Sequence, residues 1–186
     1  MARTDIAVAA ALALVSPISF AAPPDICARK IEGVSITMSY AEAKAEWSAR
    51  GYKDITPALL PGRGRQRPNN QELVKFEKGG GANLLNPGGM TLTWQKNSSG
   101  HTTVSLSEAE AAPGAPSQRL RERWAEFCQT PTRSTNLECS SSPPYIAVLS
   151  PAPDRDLQCR YSAAANRQGG ASMINEAVEL KPAVDE

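Results

Sequence analysis

The chain predicts an α+β protein whose helices pack on small antiparallel sheets. Three observations carry that prediction. Two amphipathic helical segments each open on a hydroxyl cap. Each is followed by short runs in which apolar and polar residues alternate, separated by Gly, Pro and Asn turns. Four cysteines sit behind an apolar N-terminal leader, so cross-links are available to hold small units together. The expected organisation is two tandem units of one helix and three strands. The first spans 22–109 and the second 117–181, joined by the linker EAAPGAP at 110–116 and ending in a short tail at 182–186.

Residues 1–21 carry the layout of a secretory signal peptide. Arg3 precedes a wholly apolar run at 6–15, Ser16 and Pro17 break it, and Ser19 and Ala21 place small residues where a signal peptidase reads. The run is too short for a permanent membrane helix, and no later segment nears the ~20 apolar residues that a span requires. Cys27, in the context PPDIC, does not make a lipobox. A periplasmic or secreted protein without stable membrane insertion is expected. Net charge is +1, which supplies no field for nucleic acid.

In that compartment Cys27, Cys128, Cys139 and Cys159 are expected to form two disulfides, with three connectivities open. Cys128–Cys139 is favoured as a short link from a helix end to the next strand, leaving Cys27–Cys159 to tie the N-terminal arm to the last hairpin. No C-x-x-C pair is present and His101 is the single histidine, so neither a zinc site nor a cofactor is expected.

The first helix begins at Ser39, where Ser39-x-x-Glu42 is a capping box. Its body is rich in strong helix formers, and Tyr40, Ala43 or Lys44, and Trp47 share one face. Gly51 supplies the left-handed stop. A loop at 56–70 follows, broken by Pro57, Pro61, Gly62, Gly64 and Pro68, and then Leu73 to Glu77 alternates as a strand. The glycine-rich stretch 79–89 is a loop; it has neither Walker spacing nor a Lys-Ser/Thr ending for phosphate. MTLTWQK and HTTVSLS form a hairpin around Asn97-Ser98-Ser99-Gly100, in which Leu92 and Trp94 alternate with threonines and Val104 and Leu106 alternate with Thr103 and Ser105.

In the second unit Ser117 caps a helix with Leu120, Trp124 and Phe127 on one face, Cys128 at its end and Pro131 as its stop. Extended runs follow at Leu137 to Cys139, from Tyr145 (YIAVLS) and from Leu157 (LQCRYS). The segment MINEAVELKP is either a short helix or an edge strand.

The segment 31–52, with Met38-Ser39 (preceded by Thr37 where the family pattern has glycine), the Glu42-Ala43 pair and the closing Gly51-Tyr52, resembles the opening of SmpA/OmlA-type outer-membrane assembly modules. It is similar also to β-lactamase-inhibitor-like tandem domains. The resemblance implies helices on a small antiparallel sheet and a role in protein binding instead of catalysis.

Catalytic patterns are sparse, and no catalytic residue is assigned. G-x-S-x-G and S-x-x-K are missing from the sequence, and His101 reads as an exposed turn residue. The carboxylate pairs Glu42/Glu46 and Glu122/Glu126 read as solvated helix faces beside Lys44, Arg50, Arg119 and Arg123. Arg63, Arg65 and Arg67 cluster three guanidiniums in one loop, a set of forks suited to an acidic patch on a partner. The function expected is a non-enzymatic protein-binding module with an envelope or secreted protein as partner. The alternatives are a small secreted hydrolase working through carboxylates, or a proteinaceous enzyme inhibitor. No feature indicates the oligomeric state.

Overall fold

The computed structural model describes residues 25–56, 72–83, 87–110, 118–129, 136–141, 144–151, 157–168 and 171–182. The leader at 1–21, the arginine cluster Arg63, Arg65 and Arg67, residues 111–116 of the linker, Ser117, Pro131 and the tail beyond Pro182 lie outside them.

Two short strands, β1 (Lys30–Ile31) and β2 (Val34–Ser35), form a hairpin ahead of helix α1 (Tyr40–Ala49). Strands β3 (Lys53–Asp54), β4 (Glu72–Lys78), β5 (Met90–Lys96) and β6 (Thr102–Ala109) follow. Helix α2 (Gln118–Trp124) runs on into a π turn at Ala125–Gln129. Strands β7 (Asn136–Ser141), β8 (Pro144–Pro151), β9 (Leu157–Gln168) and β10 (Ala171–Pro182) complete the described chain. The class is α+β.

The strands β3 to β10 join in one sheet of eight, ordered β3-β4-β5-β6-β10-β9-β8-β7 and antiparallel throughout. The segment that sequence left between short helix and edge strand is β10, a strand of 12 residues in the sheet interior. It pairs with β6 on one side and β9 on the other, for example Val178 opposite both Val104 and Tyr161. Its inward positions are Ile174, Glu176 and Val178, and the buried glutamate among them disguised the strand's apolar side.

Local chemistry explains α1 closely. Ser39 N–H donates to Glu42 Oε2 at 2.8 Å, and Glu42 N–H donates back to Ser39 Oγ at 3.3 Å. At the far end Gly51 takes φ +78°, and Tyr52 N–H donates to Trp47 O at 3.1 Å, so the helix stops there. Ala43 and Trp47 are its buried residues, and the Trp47 ring meets Phe76 edge-on at 5.7 Å.

The hairpin β5–β6 turns at 97–100. Asn97 Oδ1 accepts from the backbone N–H of Ser99 and of His101, which locks the turn. Leu92, Trp94, Val104 and Leu106 bury on the helix side of the sheet with Val74 and Phe76 of β4. Ile146, Cys159, Tyr161 and Val178 extend the same core beneath Leu120 of α2 and Phe127 of the π turn. Trp124, expected on that buried face, is only half-buried at its margin.

Candidate functional site

Among the described residues, a cluster of charged side chains gathers around buried Glu176 where the N-terminal arm, α2 and the β6/β10 seam meet. Arg29 comes from the arm. Asp25 Oδ1 accepts from the N–H groups of Cys27 and Ala28, and the Cys27–Cys159 disulfide pins this turn to β9. Glu32 and Gly33 form the two-residue turn between β1 and β2, both left-handed, at φ +48° and +84°. A Cβ on Gly33 would fall onto the side chains of Glu46 and Arg50. Glu108 comes from β6 and Glu176 from β10, both on the helix side. Arg119, Arg123 and Glu126 recur at helical spacing along α2 and its π turn.

These residues interlock. Arg119 reaches three carboxylates: Nη2 to Glu32 Oε1 at 2.6 Å, Nε to Glu108 Oε2 at 3.2 Å and Nη1 to Glu176 Oε2 at 3.4 Å. Arg123 joins Glu176 Oε1 to Glu126 Oε2, each at 3.2 Å. Arg29 grips Glu126 with both terminal nitrogens, at 2.7 and 3.0 Å, while its guanidinium lies 4.3 Å from the Tyr161 centroid and 4.9 Å from that of Phe127. Tyr52 closes the rim by donating to Glu32 Oε2 at 2.7 Å. The Glu176 side chain is only 2 % exposed, so it depends on these arginines for its charge partners.

The electrostatics follow from that packing. Burial alone would raise the pKa values of Glu32 and Glu126. Hydrogen bonds from Arg119 and Tyr52 to Glu32, and from Arg29 to Glu126, outweigh it and hold both below the ordinary carboxylate value. Burial works against the charges of Arg29 and Arg119, yet Glu126 and Glu32 respectively keep each above its ordinary value. Burial, then the hydrogen bond to Glu32, pushes Tyr52 up; burial, then the charge of Glu176, does the same to Tyr161. Glu32 and Glu126 are thus held in the charged form that the arginines bind, and their ion pairs link the N-terminal arm to α2 and its π turn.

The sequence-derived candidates separate here. Glu42 caps α1, Glu46 pairs with Arg50 at 2.7 Å, and Glu122 accepts from Gln118 Nε2 at 2.8 Å. Glu126 is more than a solvated helix-face carboxylate: half-buried like Arg119 and Arg123, it belongs to the ion cluster, because remote Arg29 and Glu176 partly cover that side of α2 and its π turn. His101 is also less open than a turn residue suggests. It is half-buried, and its Nε2 is shielded with no hydrogen-bond partner among the described residues. Sequence reasoning missed Arg29, Glu32, Glu108 and Glu176. The available signal was Glu176 standing in step with Ile174 and Val178.

Two disulfides stand at opposite depths. Cys27–Cys159 is buried with a Cα–Cα distance of 5.4 Å, and Cys128–Cys139 bridges the π turn to β7 at 6.1 Å. They are consistent with an oxidising, extracytoplasmic setting. Among the described residues no group of His, Cys, Asp and Glu is arranged to hold a metal ion, and no helix is long and apolar enough to cross a membrane. Comparison with family models, with curated proteins and with solved structures finds no match to this chain.

Proposed function

We propose that this chain is an exported, non-enzymatic protein-binding module made of two helix-and-strand units fused along one sheet. The order of elements supports the two-unit reading. Helix α1 precedes β3 to β6, α2 precedes β7 to β10, and the last strand of each series meets the other at the β6–β10 seam.

The observation that carries the binding role is the division of the sheet into two unlike sides. Both helices contact the side that buries Phe76 and Tyr161. The other side carries a row of small residues in register across four strands: Thr93, Ser105, Ala177 and Ser162. Asn175 and Ser107 are hydrogen-bonded beside it at 2.7 Å. Short side chains on a scaffold fixed by two cystines lose little rotamer freedom when covered. The partner is a secreted or envelope protein with an acidic patch, which Arg63, Arg65 and Arg67 between β3 and β4 would engage through bidentate forks. An enzyme inhibitor is a special case of this role.

The test is recovery of a partner from an envelope or culture fraction, followed by affinity measurement with that purified partner. Wild type should bind it, the triple variant Arg63→Ala/Arg65→Ala/Arg67→Ala should bind less tightly, and Ser105→Arg should bind weakly or not at all. Background-only recovery, or equal affinity for all three proteins, would overturn the proposal.

A further inference from the structure

We propose that Cys128–Cys139 is an exchange site for a dithiol reductant, while Cys27–Cys159 is a permanent structural bridge. The two cystines differ in the property that governs exchange, access of a thiolate to a sulfur. Cys27 is 8 % exposed and Cys159 0 %, and both lie in the apolar core. Cys139 is an exposed residue on β7, which among the described residues is the outermost strand on its side of the sheet and pairs only with β8, where Cys139 faces Ile146. Cys128, in the π turn, is half-buried.

The chemistry is thiol–disulfide exchange. One thiolate of the reductant attacks Cys139 Sγ, the Cys128–Cys139 bond breaks, and Cys128 leaves as a thiolate that takes up a proton. The second thiol of the reductant, once deprotonated, then attacks its own sulfur in the mixed disulfide and releases Cys139. The protein gains two electrons and two protons, and the dithiol becomes a disulfide. Opening this bridge removes the covalent link between β7 and the π turn after α2, so that β7 keeps its pairing with β8 and the packing of Leu137 on the core. The helix itself stays docked, because Arg119, Arg123 and Glu126 fasten it to Glu176, Glu32 and Arg29. Reduction therefore loosens one sheet edge without dissolving the fold.

The experiment is a dithiothreitol titration of the full native protein, with free thiols trapped by N-ethylmaleimide and assigned by peptide mass spectrometry. Cys128 and Cys139 should be trapped at reductant concentrations at least about tenfold below those that open Cys27–Cys159. Amide hydrogen exchange should rise over 136–141 in the partly reduced protein and stay unchanged in β4 to β6. The double variant Cys128→Ser/Cys139→Ser should show the same exchange pattern where it folds, and the wild-type titration stands without it. Simultaneous opening of both bridges, earlier opening of Cys27–Cys159, or unchanged exchange over 136–141 would overturn the proposal.

Discussion

Arg119 and Glu32 form a 2.6 Å ion pair across 87 positions of sequence, so the turn of the first hairpin is fastened directly to the second helix. The same guanidinium also serves Glu108 and Glu176. Arg119→Ala would strip one partner from three carboxylates at once, one of them almost fully buried. A loss of about 3–5 kcal/mol in unfolding free energy is expected, read from urea denaturation. Arg119→Lys should recover only part of it, because an ammonium cannot reproduce the fork. Equal stability of the Ala variant and wild type would show the cluster to be energetically idle.

Acid should weaken the protein through the same contacts. Glu32 and Glu126 are held below the ordinary 4.5, so the unfolded chain takes up protons first as pH falls. Their contribution is complete above about pH 4.5 and is lost as pH drops through the lower folded values. Tyr52 has the opposite sign: its pKa is raised above 10.0, so its contribution is present below pH 10 and is lost as pH rises through the folded value. Urea midpoints followed from pH 6 downward should fall, and Glu32→Gln with Glu126→Gln should flatten the acid limb.

Gly33 and Gly51 both take left-handed φ, +84° and +78°, but only Gly33 is crowded. Gly51→Ala should cost about 1–2 kcal/mol of backbone strain, since the space beyond it is open. Gly33→Ala carries that strain and also displaces the flexible ends of Glu46 and Arg50, disturbing their ion pair, so its melting temperature should fall slightly further. The reverse order of melting temperatures would contradict the turn geometry.

The two cystines should contribute unequally to stability. Cys27–Cys159 spans 132 positions and Cys128–Cys139 spans 11. Loop-closure entropy alone predicts about 5 kcal/mol for the first and about 3 kcal/mol for the second. Calorimetry of Cys27→Ser/Cys159→Ser beside Cys128→Ser/Cys139→Ser should show the larger loss in the first pair.

What was legible in the sequence was what is decided locally. Ser39 and Glu42 announce a helix start by themselves, and Leu92, Trp94, Val104 and Leu106 alternate strongly enough to define a hairpin and its buried side. β10 was obscured because Glu176 occupies an inward position that only distant arginines make tolerable. β9 runs to Gln168, through Ala163, Ala164, Ala165 and Asn166, residues with poor strand preference that β10 holds extended. The ion cluster was hidden for a related reason. Arg119, Arg123 and Glu126 have the spacing of a solvated helix stripe, and nothing nearby in sequence indicates that Arg29 and Glu32 will cover it.

The insertion of β10 between β6 and β9 also constrains the order of assembly. A chain emerging from its N-terminus can zip β4, β5 and β6 as neighbours, yet the outer edge of β6 stays open until Ala171–Pro182 arrives. During that interval β6 and β9 both offer unpaired backbone to any passing strand. Truncation before residue 171 therefore leaves two adhesive edges where β10 otherwise closes two seams, one with β6 and one with β9, and such a fragment is predisposed to self-associate.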